Sequence, residues 1–257
     1  MRRQLIRAAI TILSCATLLG AIIVAGNLAR DSLQSSDRFQ LPFEQIDCPA
    51  PPGLDRKAFL DEVRYYGDLS KSVSVLDNSL RDRLAAAFAQ HPWVEKVGNV
   101  EIGPGRQIQA ELTFRTPVLA VEYLNPGPIM RVVDGSGILL PVAASSQSLP
   151  RLSGKGIPSP AAAGQPWGNA PVEGAARVAG LLQPHQSTLK LLHFRWQDGQ
   201  LHLRHESNST GPEVVWGQPP GSEATGEPSA EVKLQHLLAN TDRLNNSANT
   251  RVDLRAQ

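Results

Sequence analysis

The chain of 257 residues has two cysteines, Cys15 and Cys48. That is too few for a disulfide scaffold or a four-ligand zinc site. Aromatic residues make up 5%, too few for a base-stacking platform. Neither sign of charge dominates, with 25 Lys and Arg against 24 Asp and Glu. The near-balance removes the basic field that nucleic acid requires, and also an acidic tail. Walker, Gly-x-Ser-x-Gly, His-Glu-x-x-His and Cys-x-x-Cys motifs are missing. With them go the usual signatures of nucleotide, acyl-transfer, zinc-protease and dithiol chemistry. No cofactor, no metal, no small-molecule substrate and no enzymatic reaction are expected. What the chain does have is a hydrophobic content of 41%, enough to build a core, and 21 Gly with 20 Pro, the mark of many turns and loops.

Charge is scarce in one further place. Between Arg7 and Arg30 no residue is charged. An α-helix over residues 8–29 would be about 33 Å long, enough for a hydrocarbon core of about 30 Å. Arg2, Arg3 and Arg7 precede it without an acid, leaving 22 basic and 24 acidic residues for the rest. The positive-inside rule then sets the orientation: residues 1–7 are a cytoplasmic tail, 8–29 a transmembrane helix, and the bulk of the chain lies outside. A leader cleaved near Val24-Ala25-Gly26 is the rival reading, but the apolar stretch exceeds the usual leader core. Cys48 would be the one exported cysteine, expected as a buried thiol.

Residues 30–38 read as a polar spacer. Phe39, Leu41 and Phe43 alternate as in a short strand. Phe59, Leu60 and Val63 share a helical face, with Gly67 as a stop. Leu76, Leu80, Leu84, Ala87 and Phe88 recur at helical spacing after Asp77, a candidate N-cap. His91-Pro92 should end that helix, since the residue before proline leaves helical geometry. Trp93 to Ile102 and Ile108 to Phe114 read as strands around Gly103-Pro104-Gly105-Arg106. The expected unit over 39–116 is βααββ: two helices on one face of a three-stranded sheet.

From residue 117 onward the pattern is richer in strands. Val118 to Tyr123 and Ile129 to Asp134 flank a Pro-Gly turn. Val172, Ala175, Ala176, Val178, Ala179 and Leu182 fit a helix containing Gly174 and Gly180. Leu189 to Trp196 and Leu201 to His205 should pair through Asp198-Gly199. That turn places Trp196 opposite Leu201 and Phe194 opposite Leu203 on one face, with Arg195 opposite His202 and His193 opposite Arg204 on the other. A metal between His193 and His202 would sit beside Arg195 and Arg204, whose charge opposes a cation. Glu213 to Gly217, a helix with Lys233, Leu234, Leu237 and Leu238, and a last strand Arg251 to Arg255 complete the chain. Asn208-Ser209-Thr210 is taken as ordinary loop.

Several of these segments resemble one family. His91-Pro92-Trp93-Val94, then Val97, Val100 and Ile102, then Phe114-Arg115-Thr116-Pro117-Val118, resemble the end of the POTRA domain of the FtsQ/DivIB bacterial cell-division proteins. Val133-Asp134 with Gly137, and Leu149-Pro150-Arg151-Leu152-Ser153-Gly154, resemble two motifs of its β domain. Val215-Trp216-Gly217, Lys233-Leu234 with Leu237, and Val252-Asp253-Leu254-Arg255 resemble three more, in the family's order. The chain departs at Gly103-Pro104, where an aromatic-Pro pair is common, and at Phe114, where an acid is common. Only Ala256 and Gln257 follow the last motif, where members continue through a strand that docks the next division protein.

The resemblance implies an α+β protein: an N-terminal transmembrane helix, a POTRA-like βααββ domain over 39–116, and a mainly antiparallel β domain with flanking helices over 117–257. It implies a non-enzymatic, single-pass scaffold in the bacterial cytoplasmic membrane at the division site. Its partners would be other membrane-anchored division proteins. Arg251, Val252, Asp253, Leu254 and Arg255 are the candidate partner-binding residues, as an edge strand offering unpaired backbone groups. Proline at Val252 or Leu254 is the expected way to block an outward N–H. The alternatives are a POTRA-containing envelope-assembly or export factor, and an anchored cell-wall hydrolase needing a deep site with paired carboxylates.

Overall fold

The structure is a computed structural model that describes residues 17–26, 37–154, 156–205, 212–246 and 250–255. It is a mixed α+β protein with one large sheet and several helices. Residues 17–26 form a helix, α1, whose Leu18, Leu19, Ile22, Ile23 and Val24 are exposed. No helix among the described residues is long and apolar enough to cross a membrane. The 22-residue span expected over 8–29 runs past the described residues at both ends. Arg2, Arg3, Arg7 and Cys15 lie outside them, as does the Asn208-Ser209-Thr210 triplet.

The described residues divide into two compact units. One comprises those of Met1–Pro49, Arg56–Phe88 and Val97–Leu112. Here α2 (Arg56–Tyr66) buries Phe59, Leu60 and Val63, and α3 (Leu80–Gln90) buries Leu80, Leu84, Ala87 and Phe88. These are the faces that the helical spacing predicts, except that Leu76 lies in a turn before α3. The Phe59 and Phe88 rings stack at 6.1 Å, so the two helices share an aromatic contact. Asp77 does not cap α3 directly. It accepts the Ser79 N–H at 2.9 Å and an Arg83 guanidinium at 3.0 Å, closing the turn one step earlier.

The expected three-stranded sheet is not formed in that way. β1 (Gln40–Pro42) pairs antiparallel with a strand periodicity did not predict, β2 (Ser72–Ser74). β3 (Val94–Gly103) and β4 (Gln107–Phe114) form a separate two-stranded sheet. What reaches β4 is Asp47, bridging Gln109 through Asp47 N–H to Ile108 O and Ala110 N–H to Asp47 O, each 2.9 Å. The reason is local: Pro42 has no N–H, and Phe43–Gln45 turns as a 3-10 helix, so β1 cannot extend.

The second unit comprises Ala50–Asp55, Ala89–Lys96 and the described residues of Thr113–Gln257. Its sheet has β5 (Pro117–Leu124), β6 (Pro128–Asp134), β7 (Arg151–Ser153), β8 (His193–Gln197), β9 (Gln200–Arg204), β10 (Glu213–Gly217) and β11 (Arg251–Asp253). The order is β11-β10-β9-β8-β7-β5-β6. Three pairings are antiparallel (β5 with β6, β8 with β9, β9 with β10) and three are parallel (β5 with β7, β7 with β8, β10 with β11). The sheet is therefore mixed rather than mainly antiparallel. Helices explain two of the three parallel pairings. α4 (Ala170–Leu182) and α5 (Gln186–Leu189), which stands where a strand from Leu189 was expected, lie between β7 and β8. α6 (Ala230–Ala239) with α7 (Thr241–Asn246) lies between β10 and β11, whereas β5 and β7 are joined through β6 and a loop. A crossover helix returns the chain to the starting end, so the next strand is parallel.

The β8–β9 hairpin has the register predicted from its turn: Trp196 opposite Leu201, Phe194 opposite Leu203, Arg195 opposite His202, His193 opposite Arg204. Asp198 and Gly199 both have positive φ, 51° and 75°, the geometry that matches strand twist in a two-residue hairpin. α4 buries the six predicted residues, and the Asn169 side chain caps it by accepting the Val172 N–H. Gly174 and Gly180 weaken helix propensity but permit close packing. A Cβ at Gly174 would lie 2.6 Å from Pro219 Cγ, and one at Gly180 3.3 Å from Gly135 Cα. At the other end of the sheet Trp93, Val132 and Leu140 form a separate small cluster.

Candidate functional site

The alternation of a strand decides what β11 can offer. Val252 packs against the main core and Leu254 is buried within it, whereas Arg251 and Asp253 are exposed. Of the five expected partner-binding side chains, two therefore belong to the core. Arg255 is half-buried and tied down: its Nε donates to Asp253 Oδ1 at 2.8 Å and its Nη1 to Gln200 Oε1 at 3.0 Å. Gln200 is on β9, so the guanidinium reaches past β10.

The backbone follows the same alternation. Leu254 N–H donates to Val215 O at 3.0 Å, and Thr250 O accepts from Glu213 N–H at 2.9 Å. Even-numbered residues thus turn their backbone groups toward β10, and Arg251 and Asp253 turn theirs away. This corrects the expected proline positions: Leu254 already spends its N–H inside the sheet, and the outward positions are Arg251 and Asp253. β11 has one strand neighbour, β10, so its other edge carries no strand among the described residues.

Beside this edge lies a polar cluster that motif reading misses. Lys233 is fully buried. Its Nζ donates to Glu227 Oε1 at 2.7 Å and to Gln218 O at 3.0 Å, and sits 5.5 Å from the centre of the Trp216 ring. Glu227 also accepts the N–H groups of Gln218 and Ala224, both at 2.9 Å. Burial pushes the Glu227 carboxyl up, but the Lys233 hydrogen bond and these N–H donors outweigh it and leave it below its ordinary value. The cluster holds the Gly217–Ser229 loop onto α6. Gly217, at φ +84°, leaves no room for a Cβ between Glu227 and Arg255. A sequence signal for this site exists: Lys233 falls four residues before Leu237, on the helical face that should be apolar.

The face of the hairpin predicted to carry the histidines is also networked. Glu213 Oε1 accepts from Arg204 Nη2 at 3.1 Å and lies 3.2 Å from His202 Nδ1. Burial raises the Glu213 carboxyl, and hydrogen bonds and charge from Arg204 and His202 more than reverse it, so it stays ionised to a lower pH than usual. Asp253 is likewise lowered, chiefly by the Arg255 hydrogen bond. No group of three or more His, Cys, Asp or Glu among the described residues could hold a metal ion.

Two cavities bear on chemistry. One of about 260 Å³ is lined by Gln200, Gln218, Glu227 and Arg255 beside β11. The other, of about 690 Å³ in the first unit, is lined by Arg38, Phe39, Val75, Leu76, Ile102 and Arg106 among others. Neither brings two carboxylates together. Cys48 is buried, and burial pushes its thiol up to about 11, so it is a poor nucleophile at neutral pH. No protein-family model matches the chain, and no curated protein matches it.

Proposed function

We propose that the chain is a membrane-anchored, non-enzymatic scaffold of the FtsQ/DivIB type that holds partner proteins of the bacterial division machinery. The anchor would be the uncharged stretch 8–29, oriented by Arg2, Arg3 and Arg7. The observation that carries the reading is the outer position of β11, whose Arg251 and Asp253 backbone groups turn away from the sheet. Such an edge takes up a partner's strand through main-chain hydrogen bonds. The buried Lys233–Glu227 pair supports the reading, because it fixes the loop beside that edge. Confinement to a membrane surface would raise the effective concentration of partners.

A fluorescent fusion of the full chain should concentrate at the septum of dividing cells, and an even membrane signal would reject the division role. Arg251→Pro, which removes an outward N–H, should abolish septal recruitment of whichever partner the edge holds. Val252→Ala leaves that N–H in place and should retain it. Equal recruitment by both variants would remove the edge from the mechanism.

A further inference from the structure

We infer that the arginine-bearing face of β7–β11, as distinct from the backbone edge of β11, docks an acidic segment of another protein. The paired register aligns Arg151, His193, Arg204, Glu213 and Arg251 in one row across five strands. The next row on the same face contains Arg195 and His202. Four strand spacings of about 4.8 Å make this row about 19 Å long. The apolar residues of the helices pack with Leu152, Phe194, Leu203, Val214 and Val252 on the opposite face, and on this face Val215 is buried while Arg151, Arg195 and Arg251 are exposed.

The charges on this face do not cancel. Both of its carboxylates are engaged within it, Glu213 by Arg204 and Asp253 by Arg255. Arg151, Arg195 and Arg251 are exposed, and among the described residues none has a carboxylate within ion-pair distance. Beyond the first 29 residues acids outnumber bases, so this concentration of arginine runs against the composition. Arginine forks match carboxylates in plane, which favours protein acids over a diffuse counter-ion layer. In the row arginine stands on every second strand, about 10 Å apart, with His193 and Glu213 between, and acids seven apart on a helix are about 10 Å from one another along its axis. A helix laid across the strands would therefore meet Arg151, Arg204 and Arg251 in turn. The inference does not depend on the division role, and its test reads Arg151 on β7 and Arg195 on β8 rather than the β11 edge.

The test uses the full chain in a neutral detergent. The probe is a fluorescent 20-residue Ala/Glu helix with Glu at i, i+7 positions, compared with its Gln counterpart. Wild type should bind the Glu helix in a salt-sensitive manner and leave the Gln helix unbound. Arg151→Glu with Arg195→Glu should weaken Kd about tenfold or more, whereas Arg81→Glu with Lys96→Glu, which shift net charge equally at exposed sites elsewhere, should change it about threefold or less. If the reversed-charge variant does not fold, as read by circular dichroism, Arg151→Gln with Arg195→Gln replaces it and should also weaken binding. No binding by wild type, equal weakening by the two charge reversals, or an unchanged Kd in the face variant overturns the proposal. So does binding confined to phosphatidylglycerol vesicles, which would make the face a lipid contact.

Discussion

On one face of β7–β11 the cross-strand row contains Leu152, Phe194, Leu203, Val214 and Val252, all buried or packed on the core. One residue away on each strand, the opposite face contains Arg151, His193, Arg204, Glu213 and Arg251. The same backbone therefore carries two chemistries, separated only by the alternation of side chains. The contrast also protects the register. A slip of one residue would bury three arginines and expose the apolar row. The two faces use charge differently as well. The side chains of the Lys233–Glu227 pair are buried, whereas the Asp253–Arg255 pair is over a third exposed at both partners.

The largest effects should come from the covered side. Phe194→Ala should cost about 3–5 kcal/mol, and its neighbour Arg195→Ala no more than about 0.5 kcal/mol. Urea midpoints of the two variants measure the difference, and equal midpoints would mean that the faces are misassigned. Lys233→Ala should also cost about 3–5 kcal/mol, because it strands a buried carboxylate. A Lys233→Met, Glu227→Leu double variant should recover most of that loss, and failure to recover would show that the pair holds the loop in place as well.

Acid sharpens the same comparison at intermediate size. The folded carboxyl of Glu227 lies below its ordinary value of 4.5, so its contribution is complete above that value. It is lost as pH falls from about 4.5 through the folded value, because the unfolded chain then binds the proton more readily. Denaturation followed from pH 6 to pH 3 should show this loss in wild type and a shallower one in Glu227→Gln. Parallel curves would place the acid sensitivity elsewhere. The smallest effect belongs to the exposed pair. Arg255→Ala should cost about 0–1 kcal/mol, and added salt should shrink the difference.

Much of this architecture is legible in the sequence where it depends on neighbours a few residues apart. The apolar faces of α2, α3 and α4, the end of α3 at His91-Pro92, and the β8–β9 register all follow from periodicity or turn chemistry. The parallel pairings were not legible, because they join strands that are brought together by crossovers of many residues. β2 was missed for a related reason: Ser72-Val73-Ser74 is too short to show a period, and its pairing with β1 alone makes it a strand.

The edge shows the division most clearly. From sequence alone, Arg251 to Arg255 is a strand in which charged and apolar residues alternate. Which of them face the core, which N–H groups are already spent, and the burial of Lys233 beneath the adjoining loop depend on where β10, β9 and α6 come to lie. Local pattern sets which elements form, since a side chain's direction along a strand or helix is fixed by its own backbone. Partners across the sheet are settled only when distant segments meet and the burial of one face chooses between registers, so the charged row and the buried ion pair exist only in the tertiary structure.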